Sequence, residues 1–238
     1  MSELREHILA FAGSHESFAI SELSSCLPES LLHSHSTLEW YLSQLTKEGV
    51  LVRRGRGIYT SKTLPTFALS EEETDKTLFD SLKNSFPDAS FCVYNGGVFS
   101  SIQHHLAYNA LTYVETQREL TEVVFHILQE KGLKVFHRPN KKVFHDYIDI
   151  AYPAVIVKPL ISGSPLRQCC SVTVPMLEKI LVDIRRDDDF SYMSGGEAYR
   201  MLENAVSLYT INKTKLLRYA GRRNCLAEFE TDLKKLGL

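Results

Sequence analysis

Three arginines, Arg53, Arg54 and Arg56, stand close together around Gly55 and Gly57. Guanidinium groups on a glycine-bearing turn suit phosphate oxygens, which they meet with charge-assisted hydrogen bonds. Upstream, Ser36, Thr37, Trp40 and Gln44 bring hydroxyls, an indole and an amide to one predicted helix. Groups of this kind donate to phosphates or pair with base edges. The chemistry expected from this stretch is recognition of duplex DNA.

No complete catalytic constellation accompanies it. Asp146 and Asp149 precede an apolar run ending at Lys158. A metal-dependent nuclease would need a further carboxylate two residues before that lysine. Ile156 stands there instead, so loop or capping roles suit the two acids better. His33 and His35 lack a third ligand at metal-binding spacing. Gly163 to Arg167 lacks the Gly-Lys-Ser/Thr ending of a phosphate loop, and Asn95-Gly96-Gly97 lacks the further glycine of a dinucleotide fingerprint. Cys169 and Cys170 are expected to pack on opposite faces of a strand, and His104-His105 to lie on a helix without partners.

Two stretches are basic and hold no acid. Lys131 to His145 carries Lys131, Lys134, Arg138, Lys141 and Lys142. Asn204 to Ala227 carries Lys213, Lys215, Arg218, Arg222 and Arg223, with Asn212, Tyr209 and Tyr219 interleaved. Aromatic and cationic residues on one surface suit nucleic acid or an acidic partner. Each stretch reads equally well as a solvated face.

The elements that would position the arginines follow from periodicity. Leu38, Leu42 and Leu45 make an apolar helical stripe, with Ser36 placed to cap it and Glu39 three residues on. Gly49 stops the helix. Val50 to Val52 and Ile58 to Thr60 read as two strands joined by the basic turn Arg53 to Gly57. Before them, Leu4, Ile8 and Phe11 predict a helix closed by Gly13, Phe18 to Ile20 a short strand, and Ser21 to Leu27 a second helix ended by Pro28. Helix, strand, helix, helix, strand, strand is the order of a winged helix-turn-helix. The connection from Glu29 to His35 is long for that motif, and an extra helical turn around Ser30 to His33 would fill it. Small domains of this shape also serve as protein-interaction modules, and that alternative stays open.

Pro65, within Ser61 to Ser70, marks a boundary. A capped helix start at Ser70 to Glu73 then opens an alternating region. Strands are expected at Ser90–Tyr94, Ala110–Val114, Lys134–Phe136, Val155–Pro159 and Ser171–Val174. Helices are expected at Val98–Tyr108, Arg118–Lys131 and from Pro175 through Ile184. The last part reads as three helices, Gly196–Thr210, Asn212–Ala220 and Leu226–Leu236. The fold class is therefore α+β or mixed: a winged helix-turn-helix over 1–62, a linker over 63–72, and a mixed α/β domain over 73–238 with a helical end.

Composition limits what the chain can do. Its 238 residues are 44% hydrophobic, enough for two cores, and its net charge of −2 leaves polyanion binding to local patches. Residues 1–62 hold six Lys/Arg against seven Asp/Glu, so positive charge concentrates at the ribbon. Five irregularly spaced cysteines suit a reduced, cytoplasmic chain. No apolar run nears the ~20 residues of a membrane span, and the first residues lack a signal-peptide pattern.

Four segments together resemble the AbiEi-type antitoxins of bacterial abortive-infection, type IV toxin–antitoxin systems. They are Ser36–Thr60, Ile156–Pro165 (IVKPLISGSP), Val174–Ile184 (VPMLEKILVDI) and Tyr209–Arg223 (YTINKTKLLRYAGRR). The first is shared by many winged helices, and the later three are more specific. The resemblance implies a repressor that binds inverted repeats in its own promoter. It implies a carboxy-terminal domain that counters a nucleotidyltransferase-like toxin encoded next door, without a tight complex being required. On the matching positions it gives Ser36, Thr37, Trp40, Arg53, Arg54 and Arg56 a DNA-binding role. It gives Lys213, Lys215, Arg218, Arg222 and Arg223 a basic-surface role. No cofactor, metal or enzymatic activity is expected. The alternative is a nucleotidyltransferase-like or nuclease-like enzyme with an accessory winged helix.

Overall fold

The leucine stripe that organises the first part of the chain is buried at all three positions, Leu38, Leu42 and Leu45. A computed structural model describes residues 3–28, 31, 35–61, 64–103 and 109–238. Two compact units emerge: residues 1–65 with 230–238, and residues 66–229.

In the first unit, α1 (Glu3–Ser14) buries Leu4, Ile8 and Ala12. Gly13 lies inside this helix rather than closing it, and Phe11 is half-buried, meeting Phe18 edge-on. The strand β1 (Phe18–Ala19) leads into α2 (Ile20–Cys26), started by the Glu22 carboxylate, which accepts the Ala19 N–H at 2.7 Å. The helical turn expected at Ser30–His33 lies outside the described residues except for Leu31, whose N–H donates to the Pro28 carbonyl.

α3 spans His35–Lys47, so Ser36 sits in its first turn and not at its cap. Gly49, at φ +74°, ends it, and the Val50 and Leu51 N–H groups close back onto the Leu45 carbonyl. β2 (Val52–Gly55) and β3 (Ile58–Thr60) then form a hairpin, and β1 adds to its other side in the order β1-β3-β2. Arg53 and Arg54 belong to β2 itself, Arg53 opposite Tyr59 and the register shifting between Arg53 and Gly55, so only Arg56 and Gly57 form the turn. The basic turn expected over Arg53 to Gly57 is thus shorter, because the bulge absorbs a residue into the strand. Phe18, Tyr59 and Leu51 join the leucine stripe in one core. Truncating any one of these to Ala would cost about 2–5 kcal/mol.

Residues 236–238 also belong here. The Arg56 N–H donates to the Gly237 carbonyl at 2.7 Å. The sequence pattern places the terminal segment in the larger domain, yet 230–238 groups with the first unit.

The second unit is built on a four-stranded sheet, β4 (Phe91–Asn95), β5 (Leu111–Thr116), β6 (Val135–His137) and β7 (Ala154–Pro159), in the order β4-β5-β7-β6. β5, β7 and β6 are parallel and β4 is an antiparallel edge. Near-continuous Val, Ile and Tyr runs in β4, β5 and β7 are buried, as a covered sheet requires. α4 (Lys76–Ser85) precedes the sheet, capped by Asp75, whose carboxylate accepts the Leu78 N–H. α5 (Thr121–Glu130) crosses from β5 to β6, and α6 (Lys141–Tyr147) from β6 to β7.

The sequence pattern missed α6, whose single buried side chain, Phe144, leaves no stripe to read. It also missed β8 (Leu166–Cys169), which pairs with β9 (Val172–Pro175). Cys170, at φ +48°, lies in the turn between them and not in a strand beside Cys169, correcting the two-face expectation. Of the helix expected over Val98–Tyr108, the described part shows a short 3₁₀ turn, Gly96–Phe99, and residues 104–108, with His104 and His105, lie outside the described residues. α7 (Leu177–Arg186), α8 (Gly196–Leu208), α9 (Lys213–Arg222) and α10 (Leu226–Lys235) follow, and the boundary between units falls within α10. No helix among the described residues is long and apolar enough to cross a membrane.

Candidate functional site

With Leu38, Leu42 and Leu45 turned inward, α3 presents Ser36, Glu39, Trp40, Ser43 and Lys47 to solvent. These positions follow the i, i+3, i+4, i+7 spacing of one helix face. Trp40 is 56% exposed, and Tyr41 meets it edge-on. Leaving that much indole in water forgoes roughly 1–2 kcal/mol of burial that a covering surface would supply. Thr37 and Gln44 are half-buried at the flanks of the stripe.

On the hairpin, Arg53 and Arg56 are exposed. The Arg53 Nε donates to the Gly55 carbonyl at 3.1 Å, which holds its guanidinium along the strand. Arg54 differs. It is half-buried, and burial pulls its guanidinium below the ordinary arginine pKa, with Glu16 nearby acting the other way. The three arginines therefore divide into two exposed cations and one packed against the domain.

The tail expected to form a basic surface is also divided. Lys213, Arg218 and Arg222 are exposed, and Arg222 donates to the Ser162 hydroxyl at 3.2 Å. Lys215 is half-buried, its Nζ 3.7 Å from the Met176 sulfur. Arg223 turns inward to ion pairs with Asp187 and Asp183. Tyr219 is fully buried and Tyr209 packs edge-on against Phe67, while Asn212 caps α9. The interleaved aromatic–basic surface is thus corrected: helical periodicity sends Tyr219, Leu216 and Ala220 to the core.

Arg223 enters a polar centre that the sequence reading overlooked. Lys179 on α7 bonds Glu115 on β5 at 2.7 Å and Asp183 one turn on. Lys158 on β7 bonds Asp187 at 2.9 Å and Asp189 at 2.7 Å, beneath the Phe190 ring at 4.3 Å. Tyr219 donates to Asp183 at 2.8 Å and Tyr94 to Glu115 at 3.1 Å. Burial alone would lower the pKa of Lys158, but Asp187 and Asp189 more than reverse that and hold it above the ordinary lysine value. Lys179 is raised for the same balance of burial against Asp183 and Glu115. Burial raises Asp183 and Asp189, whereas Lys158 and Arg223 overcome burial at Asp187 and lower it.

This centre lies at the carboxyl ends of β5 and β7, beside a cavity of about 300 Å³ also lined by Arg138, Arg186 and Asp188. Open α/β sheets place ligands at that end. Here each lysine bridges two carboxylates, a position a cation would otherwise take, and no group of three His, Cys, Asp or Glu among the described residues is arranged to hold a metal. A signal existed in the sequence. Glu115 and Lys158 interrupt apolar strands, and Lys179 and Asp183 sit four apart within an apolar helix.

Asp146 and Asp149 line one surface depression, with engaged oxygens: Asp146 with the His145 ring at 3.0 Å, and Asp149 accepting the Ala151 N–H at 2.9 Å. His33 lies outside the described residues. No disulfide joins any of the five cysteines among the described residues.

Residues 37–237 match DUF6577, a family of unknown function, and the chain belongs to that family. No curated protein matches the chain.

Proposed function

We propose that this member of the DUF6577 family reads duplex DNA through a winged helix-turn-helix over residues 1–62, with α3 in the major groove and the β2–β3 hairpin as the wing. The observation that carries this reading is the outward stripe of α3, with Trp40 uncovered, on the same small domain as the exposed Arg53 and Arg56. Ser36, Thr37 and Gln44 supply polar groups on and beside that stripe for base edges and phosphates. A net charge of −2 over the whole chain makes a local cationic ribbon the means by which a polyanion is recognised.

The biological setting we assign is a cytoplasmic repressor that acts as the antitoxin of an abortive-infection pair and counters a nucleotidyltransferase-like toxin encoded beside it. Support for that part is the resemblance carried by Ile156–Pro165, Val174–Ile184 and Tyr209–Arg223. Five cysteines with no disulfide among the described residues suit a reducing compartment.

A gel shift on DNA from upstream of the chain's own gene tests the reading. The parent should shift that fragment, with affinity falling steeply as salt rises. Arg53→Ala, Arg54→Ala and Arg56→Ala together should abolish the shift, and each phosphate interaction removed by a single substitution should flatten the salt slope by about 0.9. A triple variant that binds like the parent overturns the wing assignment. Co-expression with the neighbouring toxin gene tests the second part, and growth that the chain does not restore overturns it.

A further inference from the structure

Beside α6 the second unit carries a depression of about 870 Å³, lined by Lys141, Lys142, Phe144, Ile148, Ile150 and Tyr192 and by the two acids described above. Its volume falls within the range of small-molecule sites. Its walls are mainly apolar, and two rings, Phe144 and Tyr192, lie parallel within it, 5.8 Å apart and 2° from coplanar orientation. Tyr192 is held in place by the Asn109 amide, which donates to its hydroxyl at 2.7 Å. Phe144 is buried beneath, and the exposed Tyr192 ring offers a planar aromatic body a flat face.

The rim is cationic at Lys141 and Lys142 and also holds the two acids. Lys141 and Lys142 occupy the first turn of α6, where the helix dipole disfavours positive charge, and no acid in that turn offsets them. Both are exposed, with no ion pair of either among the described residues. A like-charged pair at the positive end of the helix dipole costs stability and points to another demand.

We infer that this depression binds a nucleotide, with the base against the exposed Tyr192 ring and Ile150 and the phosphate on Lys141 and Lys142. Asp146 and Asp149 offer carboxylate acceptors on the same wall for N–H groups of the base. The ligand is either a free nucleotide or one nucleotide of a strand, since the recognised chemistry is shared. The inference does not rest on duplex reading by the first unit.

The test uses the full chain and adenosine monophosphate carrying a fluorescent N-methylanthraniloyl group on the ribose. Unlabelled adenosine monophosphate should displace it, while adenosine alone and inorganic phosphate alone should each compete about tenfold or more less well, because each offers half of the recognised groups. Lys141→Ala with Lys142→Ala should weaken binding about tenfold or more. Ile150→Trp, at a half-buried rim position, should fill the depression and abolish binding without touching the lysines. The Arg53, Arg54 and Arg56 triple variant should bind the nucleotide as the parent does, which separates this site from the wing. Oligoadenylate that competes better than the mononucleotide assigns the site to a strand, and equal competition assigns it to the free nucleotide; either result supports the site. Failure of adenosine monophosphate to displace the probe, or parental binding by both the lysine and Ile150 variants, overturns the inference.

Discussion

Glu115 and Lys158 stand directly opposite each other on the parallel strands β5 and β7, yet neither takes the other as its ion-pair partner. Glu115 is bonded by Lys179, and Lys158 by Asp187 and Asp189. Four carboxylates and three cations thus share the centre of the second unit, with Tyr94 and Tyr219 filling remaining acceptors. Charges taken out of water gain little net stability when paired but cost heavily when a partner is removed.

Lys179→Met should therefore destabilise the chain by about 3–5 kcal/mol, because Glu115 and Asp183 would keep buried charge without its counterion. Adding Glu115→Gln should restore part of the loss by removing one orphaned charge. Urea unfolding of both variants measures this. A single variant as stable as the parent would show that Lys179 is not the counterion that matters.

The same centre sets an alkaline limit. Burial first, and Glu115 second, raise Tyr94, and burial raises Tyr113, Tyr192 and Tyr219 above the ordinary tyrosine value. Lys158 and Lys179 are raised by their carboxylates against burial. A group whose folded pKa exceeds its unfolded value contributes stability that is complete below the unfolded pKa and is lost as pH climbs through the folded one. The unfolded values are about 10 for Tyr and about 10.4 for Lys, so stability should hold to about pH 10 and fall steeply above it. Thermal melts across alkaline pH, with tyrosinate absorbance followed in parallel, check it. Tyrosinate signal should come in two parts, exposed residues first and the buried ones only on unfolding.

Much of this fold was legible in the sequence and some was not, for physical reasons. Leu38, Leu42 and Leu45 announced α3 because one face is buried and the other wet. The apolar runs of β5 and β7 announced the sheet because both faces are covered. α6 escaped because one buried residue makes no period, and the β8–β9 turn escaped because Cys170 and Ser171 carry positive φ where Gly or Asn would be expected. The polar centre escaped because its residues come from strands and helices far apart in sequence, and Tyr219 and Arg223 read as surface until the helix phase turned them inward.

The division among the arginines gives a separable prediction for the ribbon. Arg54→Ala should lower the melting temperature, since the side chain is half-buried and its guanidinium is partly withdrawn from water beside Glu16. Arg53→Ala and Arg56→Ala should leave stability within about 0.5 kcal/mol of the parent and act on DNA affinity instead. Trp40→Ala should follow the second pattern, because its side chain covers little of the core. Melting curves and gel shifts on the single variants sort the residues. Equal effects of all three arginines on stability would erase the distinction.

Gly55 and Gly13 make an opposed pair of tests within the first unit. A Cβ on Gly55 would fall 1.4 Å from the Gly237 carbonyl oxygen and 2.3 Å from its carbon, so backbone would have to move. That carbonyl accepts the Arg56 N–H, and Gly237 itself, at φ +76°, ends α10, with the Leu238 N–H returning to the Leu233 carbonyl. Gly55→Ala should therefore separate residues 236–238 from the hairpin, cost about 1–3 kcal/mol, and speed hydrogen exchange at the Arg56 amide. Gly13 lies inside α1 with nothing within 4 Å of an added Cβ. Gly13→Ala should stabilise by about 0.4–1 kcal/mol, through a less flexible unfolded chain and better helix propensity. Exchange at Arg56 unchanged in Gly55→Ala would mean the terminal segment does not rest on the hairpin in solution, while loss of stability in Gly13→Ala would mean α1 is more crowded than this packing allows.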